Sequence, residues 1–503
     1  MKNITTQSLL PAGLMSVAGM PLRQGERKNE GVDDRKLWAG AAVMGGLCLS
    51  LLAVRILSAC FTYGVEPSAA TIVTTIGLMA AAGVAYCVIF LLVPKLESKR
   101  ALIGPMIIAG LALRLLFFWS TPVYEDDWHR YLWDGATVSA GINPYAHPPA
   151  AARAVDAFGA PIPLSDDPDL RQLQTLARAH PDLHYRINYP YVSTIYPPLT
   201  QASFALAHAI KPMSLNAWRG VLLLVDGLSL GLLLVLLKSY GRSELWAALY
   251  WLNPVLILTT FNAGHMDILI GPFLLGALLL LRRNRPKLAA VSLAAAASVK
   301  LWPMILAPVL FRAQRRRPLS LLVTATVFCA AVALFLSPML VSLDPEHSGL
   351  TAYAQSWLTN AFLFPLLAQL TSLVSVDGEM WARIFVAALV IGASALIGLR
   401  SPVEQSKTPM YLLALTSVLF VLSPTGYPWY YVWLLWFAPL SPSLGVALFS
   451  VTLPLYYARY ALANNGYGWV FETILVPIEF LPPLVLLILE GGRHYGRKSN
   501  AAH

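Results

Sequence analysis

Apolar and polar positions segregate along this chain at the scale of a bilayer rather than of a single helical turn. Runs with few or no charges open with Trp38–Phe61, Thr71–Val93 and Ala101–Trp119 and are separated by short polar loops. Each is about 20 residues long, which is what an α-helix needs to cross hydrocarbon. Further runs follow at Arg219–Leu237, Leu245–Thr260, Ile268–Leu281, Leu288–Phe311, Leu319–Leu340, Phe362–Val376, Trp381–Leu399, Met410–Leu422, Trp429–Leu440, Gly445–Tyr460 and Val470–Leu489. The pattern predicts an all-α polytopic membrane protein with on the order of 11–14 spans.

Composition agrees. Of 503 residues 57% are hydrophobic and 12% charged, against roughly a quarter charged in soluble proteins. A net charge of +10 falls mainly in loops and tails, where it sets orientation and meets anionic lipid. It therefore does not point to nucleic acid. Cys48, Cys60, Cys87 and Cys329 lie in or beside apolar runs at no metal-ligand spacing and read as small core residues. No cleavable signal is evident: Ser8–Leu22 is broken by Pro11, and the first span is expected to serve as its own insertion signal.

Charge placement divides the chain. Residues 1–37 read as a polar, loosely ordered cytoplasmic head, 38–100 as two N-terminal membrane helices, and 101–343 as the central membrane module with an external loop at 121–194. Residues 344–490 read as C-terminal membrane helices and 491–503 as a basic cytoplasmic tail. Lys95, Lys99 and Arg100 assign the second loop to the cytoplasm, so the third run exits on the far side. Arg282–Lys287 and Arg312–Arg317 also favour the cytoplasm, yet one run's length separates them. Leu288–Phe311 is therefore expected to enter, break near Lys300-Leu301-Trp302-Pro303, and return. Pro197–Ala209 and Phe362–Val376 are expected to dip without crossing. Broken backbone at membrane depth is tolerated where it lines a cavity or is buried in protein.

The long polar excursion opens on Glu125-Asp126-Asp127. Three adjacent carboxylates raise one another's pKa, so one is poised to hold or accept a proton. The plainer alternative is a solvated helix N-terminus. Asp127–Ala140 is predicted to be an amphipathic helix lying on the membrane, with Trp128, Tyr131, Leu132 and Val138 on its apolar face. It stops at Gly141 before the turn Ile142-Asn143-Pro144-Tyr145, and Asp169–Ala179 reads as a second surface helix.

Other polar groups recur at matching depth. Tyr196-Pro197-Pro198 starts a helix without orphaned amide donors. His265 and Asp267 read either as a capping pair or as site residues, with His265 donating to a phosphate. Lys300 inside an apolar run costs on the order of 2.5–3.5 kcal/mol unless it pairs or serves a pathway. Asp226 is expected to pair with Arg219 on its own helix. Tyr427–Trp433 reads as an aromatic belt whose rings also suit sugars, and Arg459 as a further phosphate partner.

In this order the motifs resemble the GT-C superfamily of integral-membrane glycosyltransferases, in particular the polyprenyl-phosphate-mannose-dependent mannosyltransferases. The acidic cluster after an early membrane helix, Asp127 followed by Tyr131, and Asn143-Pro144-Tyr145 are similar to that superfamily's first external loop. Tyr196–Thr200, Gly264-His265 and Val299-Lys300 through Pro308 resemble stretches of the dolichyl-phosphate-glucose-dependent glucosyltransferases, and Ser423–Tyr431 resembles a segment of bacterial polyprenol-phosphate-mannose enzymes. The Glu-Asp-Asp triple departs from the pattern and leaves the catalytic carboxylate open among Asp127, Asp126 and Glu125.

The resemblance implies a GT-C-like bundle with a long first external loop carrying amphipathic helices. It also implies an inverting hexosyltransferase, mannose first, using a polyprenyl-phosphate sugar and a glycan or lipid acceptor. The site would face the periplasm or exterior of a bacterial plasma membrane. Lys300, His265, Asp267, Arg130, Tyr131, Asn143, Tyr145, Tyr196, Trp429, Tyr430 and Arg459 are the expected substrate contacts. No cofactor is assigned; a divalent metal is compatible with the sequence and not required by it. A transporter or lipid flippase is the competing class, since broken helices and an intramembrane lysine suit it equally.

Overall fold

A computed structural model describes residues 34–156, 159–342 and 348–499. The expected polar head therefore lies almost entirely outside the described residues. Among those described the fold is helical, with two isolated β-bridges and no strand. Seven helices are long and apolar enough to cross a membrane, and a bent pair, Pro254–Asn262 with Met266–Arg282, makes an eighth if counted as one span. The remaining predicted runs form shorter or broken helices.

The helices that position the site are, in chain order, α1 (Asp34–Leu57), α2 (Ala69–Leu96), α3 (Ile103–Leu116), α4 (Trp128–Ser139), α5 (Pro168–Ala179), α6 (Pro198–Ile210) and α7 (Leu215–Ser239). They continue with α8 (Gly271–Arg282), α9 (Pro286–Ala297), α10 (Pro318–Val341), α11 (Gly378–Arg400), α12 (Thr408–Leu422), α13 (Leu444–Thr452) and α14 (Val476–Ser499). The last of these carries helix into the segment expected to be a tail.

α3 ends at Leu116, short of the predicted Trp119, and its 14 residues span about 21 Å. Arg114 in its last turn is fully buried and pairs with Asp226 of α7. It also donates to the Gly110 carbonyl at 2.9 Å and the Trp251 carbonyl at 2.7 Å. The expected Arg219–Asp226 pair is thus not formed. Arg219 instead donates to the carbonyls of Phe118, Ser120 and Asn262. Helical spacing brings residues of one helix together, but here a charge from a neighbouring helix reaches Asp226 first.

α4 does not lie on a membrane surface. His129 through Thr137 are all buried, because α4 is wedged between α6 and the rest of the loop. Tyr131 stacks on Phe204 at 4.8 Å, and Trp133 packs with Ile142, Leu173 and Ala177. Its polar groups are satisfied internally: Arg130 pairs with Asp134 at 2.8 Å, and Asp134 accepts from Gln201 at 3.0 Å. Gly135 permits the approach, since a Cβ there would stand 2.5 Å from the Phe204 carbonyl oxygen. α4 stops at Gly141, whose φ is +78°, as the sequence predicts.

Two predicted spans are broken instead. Leu245–Ile270 is buried throughout and its helix is interrupted at Leu252-Asn253, between Ala248–Trp251 and Pro254–Ile257. There the Asn253 side chain accepts from the Leu256 amide at 2.9 Å and donates to Ser450 at 2.9 Å. Pro428–Leu440 is likewise buried rather than a boundary belt. Irregular backbone is stable in both places because protein, not lipid, surrounds it. Two of the cysteines, Cys60 and Cys329, are exposed rather than in the core.

The in-and-out path of Leu288–Phe311 is observed. Arg282 and Arg312 line one small cavity with Tyr240 and Gln405, so both basic clusters lie at the same end of the bundle. α9 leads away from that end to Lys300, and Trp302–Leu310 leads back.

Candidate active site

At the opposite end a cavity of about 570 Å³ is enclosed by the acidic loop, the start of α4, the 188–197 segment, the Met266–Asp267 bend, the Lys300 turn, and residues near 353, 429 and 459. The acidic cluster and Lys300 face this common space. Tyr124 (φ +58°) and Tyr189 (φ +51°), both on its wall, hold left-handed backbone. For non-glycine residues that conformation persists only where surrounding contacts enforce it.

Asp127 occupies the position before α4, yet its side chain makes no capping bond. The solvated-cap alternative therefore fails for it. Its carboxylate instead accepts from Asn188 Nδ2 at 3.2 Å and lies 3.8 Å from His265 Nδ1. Asp126 accepts from the same Asn188 amide. Glu125 is 7% exposed and stands 3.5 Å from His265 Nε2, while its Oε1 has no hydrogen-bond partner.

These environments separate the three acids. Burial first, then the neighbouring Asp127 and Asp126 charges, push Glu125 well above the usual carboxylate range, with Arg459 opposing the rise. Asp127 is raised to about 6, mainly by burial, with Asn188 and Lys300 opposing the rise. Asp126 is raised by burial and opposed by Asn188 and Arg186. A group near 6 that opens onto a cavity suits proton acceptance at neutral pH.

Lys300 Nζ donates to Asp267 Oδ1 at 2.6 Å and stands 3.9 Å from the Tyr430 ring centroid. Trp433 Nε1 donates to the same oxygen at 2.7 Å. Asp267 is thus an acceptor for a partly buried cation and not a helix cap. Neither does His265 cap the following turn. His265 stacks on Trp429 at 3.6 Å and lies behind Glu125 and Asp127, off the cavity wall. Arg459 lines the cavity, donates to the Tyr456 hydroxyl at 3.1 Å, and lies 5.3 Å from the Tyr460 ring centroid.

Tyr131, Tyr196, Trp429 and Tyr430 also line the cavity, as does Arg130 with its charge paired to Asp134. Asn143 and Tyr145 do not. Asn143 is exposed and donates to Ser342, and Tyr145 supports the site from outside by donating to the Tyr196 carbonyl at 2.9 Å. Asn188, Tyr353 and Trp357 line the cavity without having been singled out. The only sequence signal for Asn188 is Asn188-Tyr189-Pro190-Tyr191, which echoes Asn143-Pro144-Tyr145. Among the described residues no group of three or more His, Cys, Asp or Glu could hold a metal ion.

A membrane-type helical bundle with an acid–base and cationic cavity at one end fits an integral-membrane group-transfer enzyme. Residues 194–424 match the model of glycosyltransferase family 87. That match, on this fold, supports a GT-C-like membrane glycosyltransferase. No curated protein and no solved structure matches the chain. His265, Asp267 and Lys300 lie inside the matched stretch; the three acids precede it and Arg459 follows it.

Proposed function

We propose that the protein moves a hexose, mannose first, from a polyprenyl-phosphate sugar to a hydroxyl of a glycan or lipid acceptor, inverting the anomeric centre. The observation that carries this reading is the single cavity shared by Asp127 and the Lys300–Asp267 pair. A sugar on a lipid phosphate already has a leaving group, so the enzyme needs a base for the acceptor and positive charge for the departing phosphate. Asp127 takes the acceptor proton as the acceptor oxygen bonds to the anomeric carbon. The bond from that carbon to the phosphate oxygen breaks on the opposite face, and its electron pair leaves with the polyprenyl phosphate.

Lys300 and Arg459 are the cations on the cavity wall available to that phosphate. Asp267 keeps Lys300 in place, and the rings of Trp429 and Tyr430 offer faces for the sugar. We place the cavity on the extracytoplasmic side of a bacterial plasma membrane, because the basic clusters gather at the other end.

Purified protein incubated with labelled polyprenyl-phosphate mannose and an acceptor should release polyprenyl phosphate and glycosylate the acceptor. Asp127→Asn should lower kcat by about 10²-fold or more with donor binding retained. Movement of intact donor across vesicles without release would overturn transfer in favour of a flippase, and full activity of Asp127→Asn would remove it as base.

A further inference from the structure

The three acids follow directly on a left-handed residue, Tyr124, and that residue is held by parts of the chain outside the family match. The loop between α1 and α2 turns at Gly64, whose φ is +79°. Its height is set by α2, which packs hard on α13: a Cβ at Gly83 would stand 2.1 Å from the Ser450 carbonyl oxygen. Tyr86 of the same helix donates to the Leu249 carbonyl at 2.6 Å. From this fixed base the loop reaches the acidic segment at several points.

Glu66 Oε1 accepts from the Tyr124 hydroxyl at 3.0 Å, and its Oε2 accepts from Asn464 at 3.0 Å. The Tyr124 ring lies between Phe61, edge-on at 4.9 Å, and Tyr460, stacked at 4.6 Å. Nearby, the Arg186 guanidinium sits 4.2 Å from the centroid of the Tyr63 ring. Arg186 is two residues from Asn188, the donor to Asp126 and Asp127. The loop thus touches the residue before the acids and the segment that hydrogen-bonds them.

We propose that this loop is a clamp on the carboxylate cluster, and that Glu66 is a positioning residue that holds Tyr124 in its strained conformation so that Asp127 faces the donor. One carboxylate ties three segments together: the α1–α2 loop, the acidic loop and the end of the short helix Ala458–Asn464. A left-handed tyrosine is a strained backbone position, so without the Glu66 contact the loop has a reason to relax. Relaxation would move the base without touching the donor's cations. Misplacement of a reacting group by about 1 Å can cost 10²-fold in rate.

The kinetic arm of the test rests on the glycosyl-transfer reading; the exchange arm does not. Glu66→Ala should lower kcat about 10- to 100-fold while donor KM stays within about twofold. Tyr124→Phe, which keeps both ring contacts and removes only the hydroxyl, should do the same, and the double variant should be no worse than either single one. Glu66→Gln, whose amide oxygen still accepts from Tyr124, should recover most of the loss.

In parallel, amide hydrogen exchange across residues 123–131 should quicken in Glu66→Ala. It should do so chiefly at His129 and Arg130, whose amides bond to the Asp126 and Asp127 carbonyls at 3.1 and 3.0 Å. Unchanged exchange and unchanged kcat in both single variants would overturn the clamp. If the wild-type protein transfers no sugar, faster exchange still upholds the clamp while the functional reading falls, and unchanged exchange sinks the clamp by itself. If Glu66→Ala does not fold, Tyr124→Phe carries both arms.

Discussion

At the scale of single residues the site depends on how differently three adjacent acids are housed. Asp127 combines a cavity-facing carboxylate with a pKa near 6, and the Asn188 hydrogen bond is what keeps that value from rising further. A base must be ionised, so on the proposed reading kcat/KM should climb with pH and level off above about 6. Removing the amide donor in Asn188→Ala favours the protonated form, and the rising limb should move to higher pH. A pH–rate profile of the two proteins checks it; a limb that stays put or moves down would separate Asn188 from the base.

The acids were legible because three charges directly after an apolar run are conspicuous. Asn188 was not, because a lone amide in a polar loop looks like any other. Asp226 was misassigned for a related reason: its true partner, Arg114, is over a hundred positions away on another helix.

At the scale of elements, the most telling feature is the break after α9. The sequence shows it through two basic clusters too close for an ordinary crossing, and Lys300 sits at the turn. Lys300→Ala should raise donor KM about tenfold or more, the equivalent of losing roughly 1.5–3 kcal/mol of hydrogen bonding to a charged group. Unchanged donor KM and kcat would exclude it from donor binding.

Less legible were the stretches at 245–270 and 428–440, where an unbroken apolar run looks the same whether lipid or protein surrounds it. α4 was misread for the same reason: its amphipathic pattern suited a membrane surface, but the apolar face of α6, with Phe204 stacked on Tyr131, covers it. Its seat on α6 is tight at Gly135, so Gly135→Ala should cost about 1–3 kcal/mol. Thermal unfolding in detergent should show a lower Tm, whereas an unchanged one would mean that the two helices can part freely.

At the scale of the whole molecule, the ends of the bundle differ in kind. One gathers Arg282, Arg312 and Arg315, the last donating to the carbonyls of Gly398, Leu399 and Ser401. The other holds the cavity. Charge bias of this kind sets topology, which makes orientation testable. In a background with all four cysteines replaced, Tyr185→Cys, an exposed site on the cavity side, should react with an impermeant thiol reagent in intact cells. Lys287→Cys should react only after permeabilisation. The reverse labelling would turn the enzyme over and end the case for an extracytoplasmic donor.

The family match covers residues 194–424, which includes Lys300 and Asp267 but none of the three acids. If transfer runs as proposed, the base for the incoming alcohol and the lysine that meets the lipid carrier are encoded in separate lengths of polypeptide that come together only after folding. Changes in the loop at 121–194 would then redirect the enzyme to new recipients while Lys300 and its Asp267 partner stay as they are.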